Sequence, residues 1–263
     1  MYAWNWEPQL IIGLLGQLAA YFLCVVGPLR RFFPDAEPWR ASQIQLFVLG
    51  WLALVIALVT PIDTLGLYSL TMHMVQHLIV TLVVPPLLLA GTPRWLFRPL
   101  LRMPIVRDLL PAVTNPVATF LIFNAVFALW HVPAYYNAAL LDERVHILEH
   151  ATFFLTATLS WWPLFSPLEE LPPAHPLAQS VYLFFMAIPS TVLGAIITLS
   201  GANLYPHYAS VAQPFGLTTA DDQQLGGLIM WFVGSLFYFF VMMVIFIRWM
   251  NSDDRTRGPR AYA

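Results

Sequence analysis

The histidines are the residues in this chain best placed to do chemistry. Four of the seven fall in pairs whose spacing suits a metal ion. His73 and His77 lie in Met72-His73-Met74-Val75-Gln76-His77, and His146 and His150 bound His146-Ile147-Leu148-Glu149-His150. On a helix, residues four apart differ by only ~40° of rotation and ~6 Å of rise, so each pair lines one stripe. Two imidazoles so placed can grip one transition-metal ion. His131, in Trp130-His131-Val132-Pro133, offers a fifth ring. Thioethers from Met72, Met74 or Met230 would tilt such a site towards the soft ion Cu(I). Gln76, Glu149, Asp221 and Asp222 are candidates to hold the remaining ring N–H groups. One histidine at a helix mouth ordinarily hydrogen-bonds to backbone or headgroups, but His73, His77, His146 and His150 together favour a metal. His175 and His207 read as loop residues. Cys24 is the only cysteine and lacks the paired spacing of thiolate metal carriers.

The elements that must carry these rings follow from composition. Hydrophobic residues make up 59% of the 263 positions and charged residues 10%, with a mean hydropathy of +0.69. Soluble domains run at roughly 45–50% apolar and about 25% charged, so an ordinary cytoplasmic enzyme, a disordered chain and a nucleic-acid binder are excluded. The net charge of −2 names no electrostatic partner. Apolar runs near 8–27, 44–60, 67–90, 116–136, 145–165, 179–200 and 225–247 are each close to the roughly 20 residues that cross a bilayer. The expectation is an all-α integral membrane protein, a seven-transmembrane-helix bundle forming one domain over 1–263. Pro85-Pro86 should kink or break the inner end of the third span. Gly226, Gly227 and Gly234, with a small-residue stripe at Ser190, Gly194 and Thr198, should permit close helix approach. Trp130, Trp161, Trp162, Trp231 and Trp249 fall where interfacial belts are expected.

Orientation comes from the arginines, which supply all twelve basic residues. Arg30, Arg31 and Arg40 follow the first run, and Arg94, Arg98, Arg102 and Arg107 follow the third. Arg248, Arg255, Arg257 and Arg260 follow the seventh, leaving only Arg144 on the other side. Basic segments stay in the cytoplasm, so the N-terminus is expected outside and the C-terminus cytoplasmic. The first run has no basic segment before it and reads as a span rather than a signal peptide. This topology puts six of the seven histidines in the outer half, with Asn124 two turns below His131.

Three functional classes fit, beside a purely structural bundle. The first is a metal-handling or assembly protein. The second is a single-haem b-type membrane protein, since histidines four apart are too close for two stacked haems. The third is a membrane metallohydrolase, because residues 146–150 match H-x-x-E-H.

From the second span onward the chain carries, in order, His73-Met74-Val75-Gln76-His77, Pro85-Pro86, Gly91-Thr92-Pro93, Trp130-His131, His146-x-x-Glu149-His150, Trp161-Trp162-Pro163 and Asp222-Gln223-Gln224-Leu225-Gly226-Gly227 leading to Met230-Trp231. In these motifs and their spacing the sequence resembles the polytopic CtaG-like cytochrome c oxidase assembly factors associated with caa-type oxidases. The resemblance implies a multi-pass protein of a bacterial inner (plasma) membrane that assists oxidase biogenesis without turnover chemistry. The implied cargo is copper, held or delivered at the outer, periplasmic side; the residues themselves leave zinc or haem b as alternatives. The implied partners are lipid, cytochrome c oxidase subunits and other copper chaperones.

Overall fold

Backbone N–H and C=O groups have no water to bond in hydrocarbon, and a helix satisfies them within one segment. In the computed structural model, which describes residues 2–257 and the side chains of 2–252, every regular element is helical. The principal helices are α1 (Pro8–Val25), α2 (Ala41–Val59), α3 (Pro61–Gly66), α4 (Leu70–Gly91) and α5 (Pro104–Thr114). They continue with α6 (Pro116–His131), α7 (Pro133–Leu141), α8 (Glu143–Phe165), α9 (Pro176–Leu199) and α10 (Thr219–Ser252). The side chains of Arg255 and Arg257, and all of Arg260, lie outside the described residues.

Five helices, α1, α2, α4, α9 and α10, are long and apolar enough to cross a membrane, and α5 with α6 makes a sixth candidate bent by 79°. Large apolar side chains such as Ile12, Leu49, Leu121, Val192 and Phe240 face outward from them. An exterior of that kind needs lipid rather than water. The chain is a helical membrane protein. Its spans differ from expectation in the middle. The run near 116–136 is not one helix: Val132 takes extended backbone before Pro133 (φ −64°, ψ 126°), ending α6 at His131 and starting α7. α8 has 23 residues, but Glu143, Arg144, His146, Glu149 and His150 crowd its first two turns and dilute its apolar character.

Packing brings the helices close where side chains are small or well paired. α9 crosses α10 at Gly194 and Gly227. A Cβ on Gly194 would lie 2.8 Å from the Cβ of Trp231 and 2.9 Å from the carbonyl oxygen of Gly227, so only glycine fits. At the other side Tyr21 stacks on Phe47 at 3.6 Å and donates to the carbonyl of Gly91 at 2.8 Å, tying α1, α2 and α4 together.

α4 is the helix that matters most for the site. Pro85-Pro86 does not break it. The helix widens into a π-turn over Ile79–Val83, just after His77, and Val84 N–H reaches back to Ile79. Proline cannot donate to the carbonyl four residues earlier. For Pro85 that carbonyl belongs to Thr81, and Trp161 Nε1 on α8 donates to it at 2.8 Å. Trp161 is 1% exposed, so it is a buried strut between α4 and α8 and not part of an interfacial belt. Trp130 likewise donates inward, to Thr152 at 2.9 Å.

Candidate metal centre

His73 and His77 stand on α4, and His146, Glu149 and His150 on α8, at the end of the bundle that carries Arg144 alone among the arginines. The two stripes face each other. Ring centroids are 4.2 Å apart within the α4 pair and 4.3 Å within the α8 pair. Between helices the separations are 5.2 Å for His77 and His150, 6.2 Å for His73 and His146, and 6.3 Å for His73 and His150. The four imidazoles form one layer. Glu149 reaches across it: Oε1 lies 3.7 Å from Nε2 of His73 and 3.9 Å from Nε2 of His77. Expected as an outer partner, Glu149 instead groups directly with those two rings, and all three are buried.

A second grouping was not anticipated from the sequence. Asp63 on α3 lies with His146 and His150, one ligand atom of each within 4.8 Å of the others. Asp63 is held from two sides: Gln76 Nε2 donates to Oδ1 at 2.7 Å, and Asn5 Nδ2 donates to Oδ2 at 2.8 Å. Gln76 also donates to the Ala57 carbonyl at 3.0 Å. It therefore orients a carboxylate instead of holding a ring N–H. The available signal was an acid in Thr60-Pro61-Ile62-Asp63, immediately beyond an apolar run on the histidine side.

His131 lies beside the layer, at 6.5 Å from Tyr136 and 6.2 Å from Phe153, and belongs to neither group. Its Nδ1 donates to the Phe127 carbonyl at 2.7 Å, and His150 Nδ1 donates to the His146 carbonyl at 3.1 Å. A neutral ring fixed in that way presents Nε2 as a lone pair. His131 also lines a groove of about 530 Å³ between α6 and α9.

The remaining candidates serve the scaffold. Asp222, 0% exposed, accepts from Ser69 Oγ at 2.6 Å, from Leu70 N–H at 2.6 Å and from Thr71 N–H at 3.2 Å. It caps the positive end of α4, and its side-chain partners among the described residues are Ser69, Leu70 and Thr71, not an imidazole. Asp221 is exposed and pairs with Thr218 in the capping box of α10. Met74 and Met230 pack in an apolar cluster with Leu70, Tyr136 and Ile197, and Met72 is half-buried. His207 Nε2 donates to the Leu67 carbonyl at 3.0 Å, and His175 caps α9 at the arginine end.

A lid closes the histidine end. Tyr205 donates to the His131 carbonyl at 3.1 Å, and Tyr208 donates to that of Gly66 at 2.9 Å while sharing a 2.9 Å bond with Tyr136. Burial pushes the phenols of Tyr205 and Tyr208 above their ordinary range, so both remain neutral hydrogen-bonding groups.

Donor chemistry under this lid suits an ion. Both ring nitrogens of His73 and His77, Nε2 of His131 and His150, and Oε2 of Glu149 are buried without a hydrogen-bond partner. Each such atom costs about 1–3 kcal/mol when it is left unpaired. Imidazole nitrogens and carboxylate oxygens are ligands for zinc or copper, and a bound ion would satisfy several of them at once.

The architecture thus defines a helical membrane protein that buries imidazoles and carboxylates at one end. The family model described as cytochrome c oxidase caa3 assembly factor (Caa3_CtaG) matches residues 19–252, and the chain belongs to this family. It is similar to an uncharacterized protein of Mycobacterium leprae, ML1998, at 23% identity over 235 residues, covering 82% of this chain and 35% of that one. It is also similar to uncharacterized protein Mb0105 of Mycobacterium bovis and MT0111 of Mycobacterium tuberculosis. Each is 25% identical over 270 residues, covering 95% of this chain and 40% of the relative. The chain thus spans well under half the length of these curated relatives. No solved structure matches it.

Proposed function

We propose that this protein assists cytochrome c oxidase biogenesis by holding copper in the buried histidine layer and passing it to an oxidase subunit. The observation that carries the reading is the set of unpaired buried nitrogens and oxygens on His73, His77, Glu149, His131 and His150. Polar atoms placed inside an apolar bundle and left without partners are costly unless something binds them. The family supplies the oxidase as the destination.

The arginine bias orients the histidine end outward, to the periplasmic side of a bacterial inner membrane, with the N-terminus outside. On this reading α6 and α8 complete seven passes. Cargo would enter and leave through imidazole and carboxylate ligands, since Cys24 has no thiol partner and Met74 and Met230 sit in apolar packing. Other copper chaperones would be the source. Rings layered at 4.2–6.3 Å suit a bare ion better than a porphyrin. Glu149 is buried against His73 and His77, which suits a ligand better than a general base that must meet water and substrate. No turnover is invoked.

The test is metal content and absorbance of the purified protein, alongside His77→Ala. Copper in the native protein, its loss in the variant, and failure of that variant to support oxidase assembly are expected. Copper-free native protein, or full oxidase assembly with His77→Ala, would overturn the proposal.

A further inference from the structure

We infer that the histidine layer holds two ions, one in His73, His77 and Glu149 and one in Asp63, His146 and His150. This rests on the copper reading above and adds its stoichiometry and its order of filling.

The first argument is counting. Each triad brings one ligand atom from each of three residues within 4.8 Å, and no residue belongs to both. A single ion in the usual four-coordinate geometry cannot take six protein ligands. With only the α4 triad filled, Nε2 of His150 would stay buried and unpaired. Two ions satisfy both sets, each with two imidazoles, one carboxylate and an open position.

Charge gives the second argument. A ligating carboxylate is ionised, so each triad carries one negative charge. Among the described residues no arginine pairs with either carboxylate: the ion pairs of Glu149 are to histidines, and Asp63 is bonded by amides. A monovalent ion would leave each triad neutral, the state a low-dielectric site favours. Cu(I) has that charge.

Burial gives the third, and it sets an order. His73, His77 and Glu149 are all buried, while His146 and His150 are half-buried at the mouth of α8. The α8 triad is the exchanging position and the α4 triad the retained one. Gln76 and Asn5 position Asp63 for the exchanging site.

The experiment is anaerobic titration of the full chain in detergent with Cu(I) buffered by bicinchoninate, followed by timed removal with excess chelator. Two equivalents are expected, one lost quickly and one slowly. His146→Ala and Asp63→Asn should each bind one slow equivalent, and His73→Ala/His77→Ala one fast equivalent. A native stoichiometry of one would overturn the two-ion inference and leave the copper reading standing. Zero would overturn the copper reading itself. Loss of both ions in His146→Ala, with its unfolding midpoint unchanged, would show a single shared site and overturn the inference.

Discussion

The two ends of the bundle treat their polar residues in opposite ways. At the arginine end, Arg98 pairs with Glu170 at 3.0 Å and with Glu169 at 2.8 Å, and Arg94 reaches Glu169 at 3.4 Å. Arg94, Glu169 and Glu170 are exposed to solvent, Arg98 is partly exposed, the charges are matched, and Glu170 raises the Arg98 guanidinium further above its ordinary range. At the histidine end the polar atoms are buried, and many have no partner. The first end would be content in water as it stands. The second is built from groups that gain most from a ligand the chain does not itself supply. The contrast separates polar residues that mark a membrane boundary from those that make a site.

The largest expected effect falls on the scaffold beneath the site. Asp222→Ala strands Ser69 Oγ and the first N–H groups of α4, and should cost about 3 kcal/mol. Thermal unfolding in detergent measures it, and an unchanged midpoint would remove Asp222 as the clamp between α4 and α10.

His77→Leu should act in two directions. Copper affinity should fall by about 100-fold or more, at least the effect of losing an outer-shell partner. The copper-free protein should be no less stable than the native chain, because a ring with two unpaired nitrogens is replaced by an apolar group. Competition titration and unfolding with and without copper separate the two effects. A large loss of metal-free stability would mean the ring is structural. Copper itself should stabilise the native chain by about 2.7 kcal/mol at a hundred times its Kd.

Trp161→Phe deletes one neutral hydrogen bond, to the carbonyl that Pro85 leaves free, and should cost about 1 kcal/mol. A cost near zero would mean that the π-turn settles that carbonyl in another way. The smallest effect belongs to the other end. Arg98→Ala should leave both the unfolding midpoint and copper binding where they are, since solvent screens exposed ion pairs. A measurable loss of copper binding in that variant would erase the distinction between the two ends.

The sequence yields the helical membrane class, most helix positions and the histidine stripes, because each is written in local periodicity and composition. α4 and α8 carry their rings on one face for the reason that spacing predicts. What escaped depends on distant parts of the chain meeting. Asp63 joins His146 and His150 only because α3 packs on α4 and α2 and so brings it near the start of α8, and nothing within a window around Asp63 records that. Asp222 lies 152 residues from the Leu70 N–H it accepts, so its acidity alone suggested a partner for imidazole when it caps a helix. Methionines beside histidines in sequence point about 100° away on a helix, which is why Met74 faces the apolar cluster while His73 faces the layer. The break at Val132–Pro133 was local and could have been read: extended backbone before proline ends a helix.

The central claim, copper held by the buried histidine layer without sulfur, is tested most directly by X-ray absorption at the copper edge on the loaded native protein. A first shell of nitrogen and oxygen at about 2.0 Å, with the outer scattering of imidazole, is expected. A sulfur shell near 2.3 Å, the distance typical of a metal–sulfur bond, would contradict it.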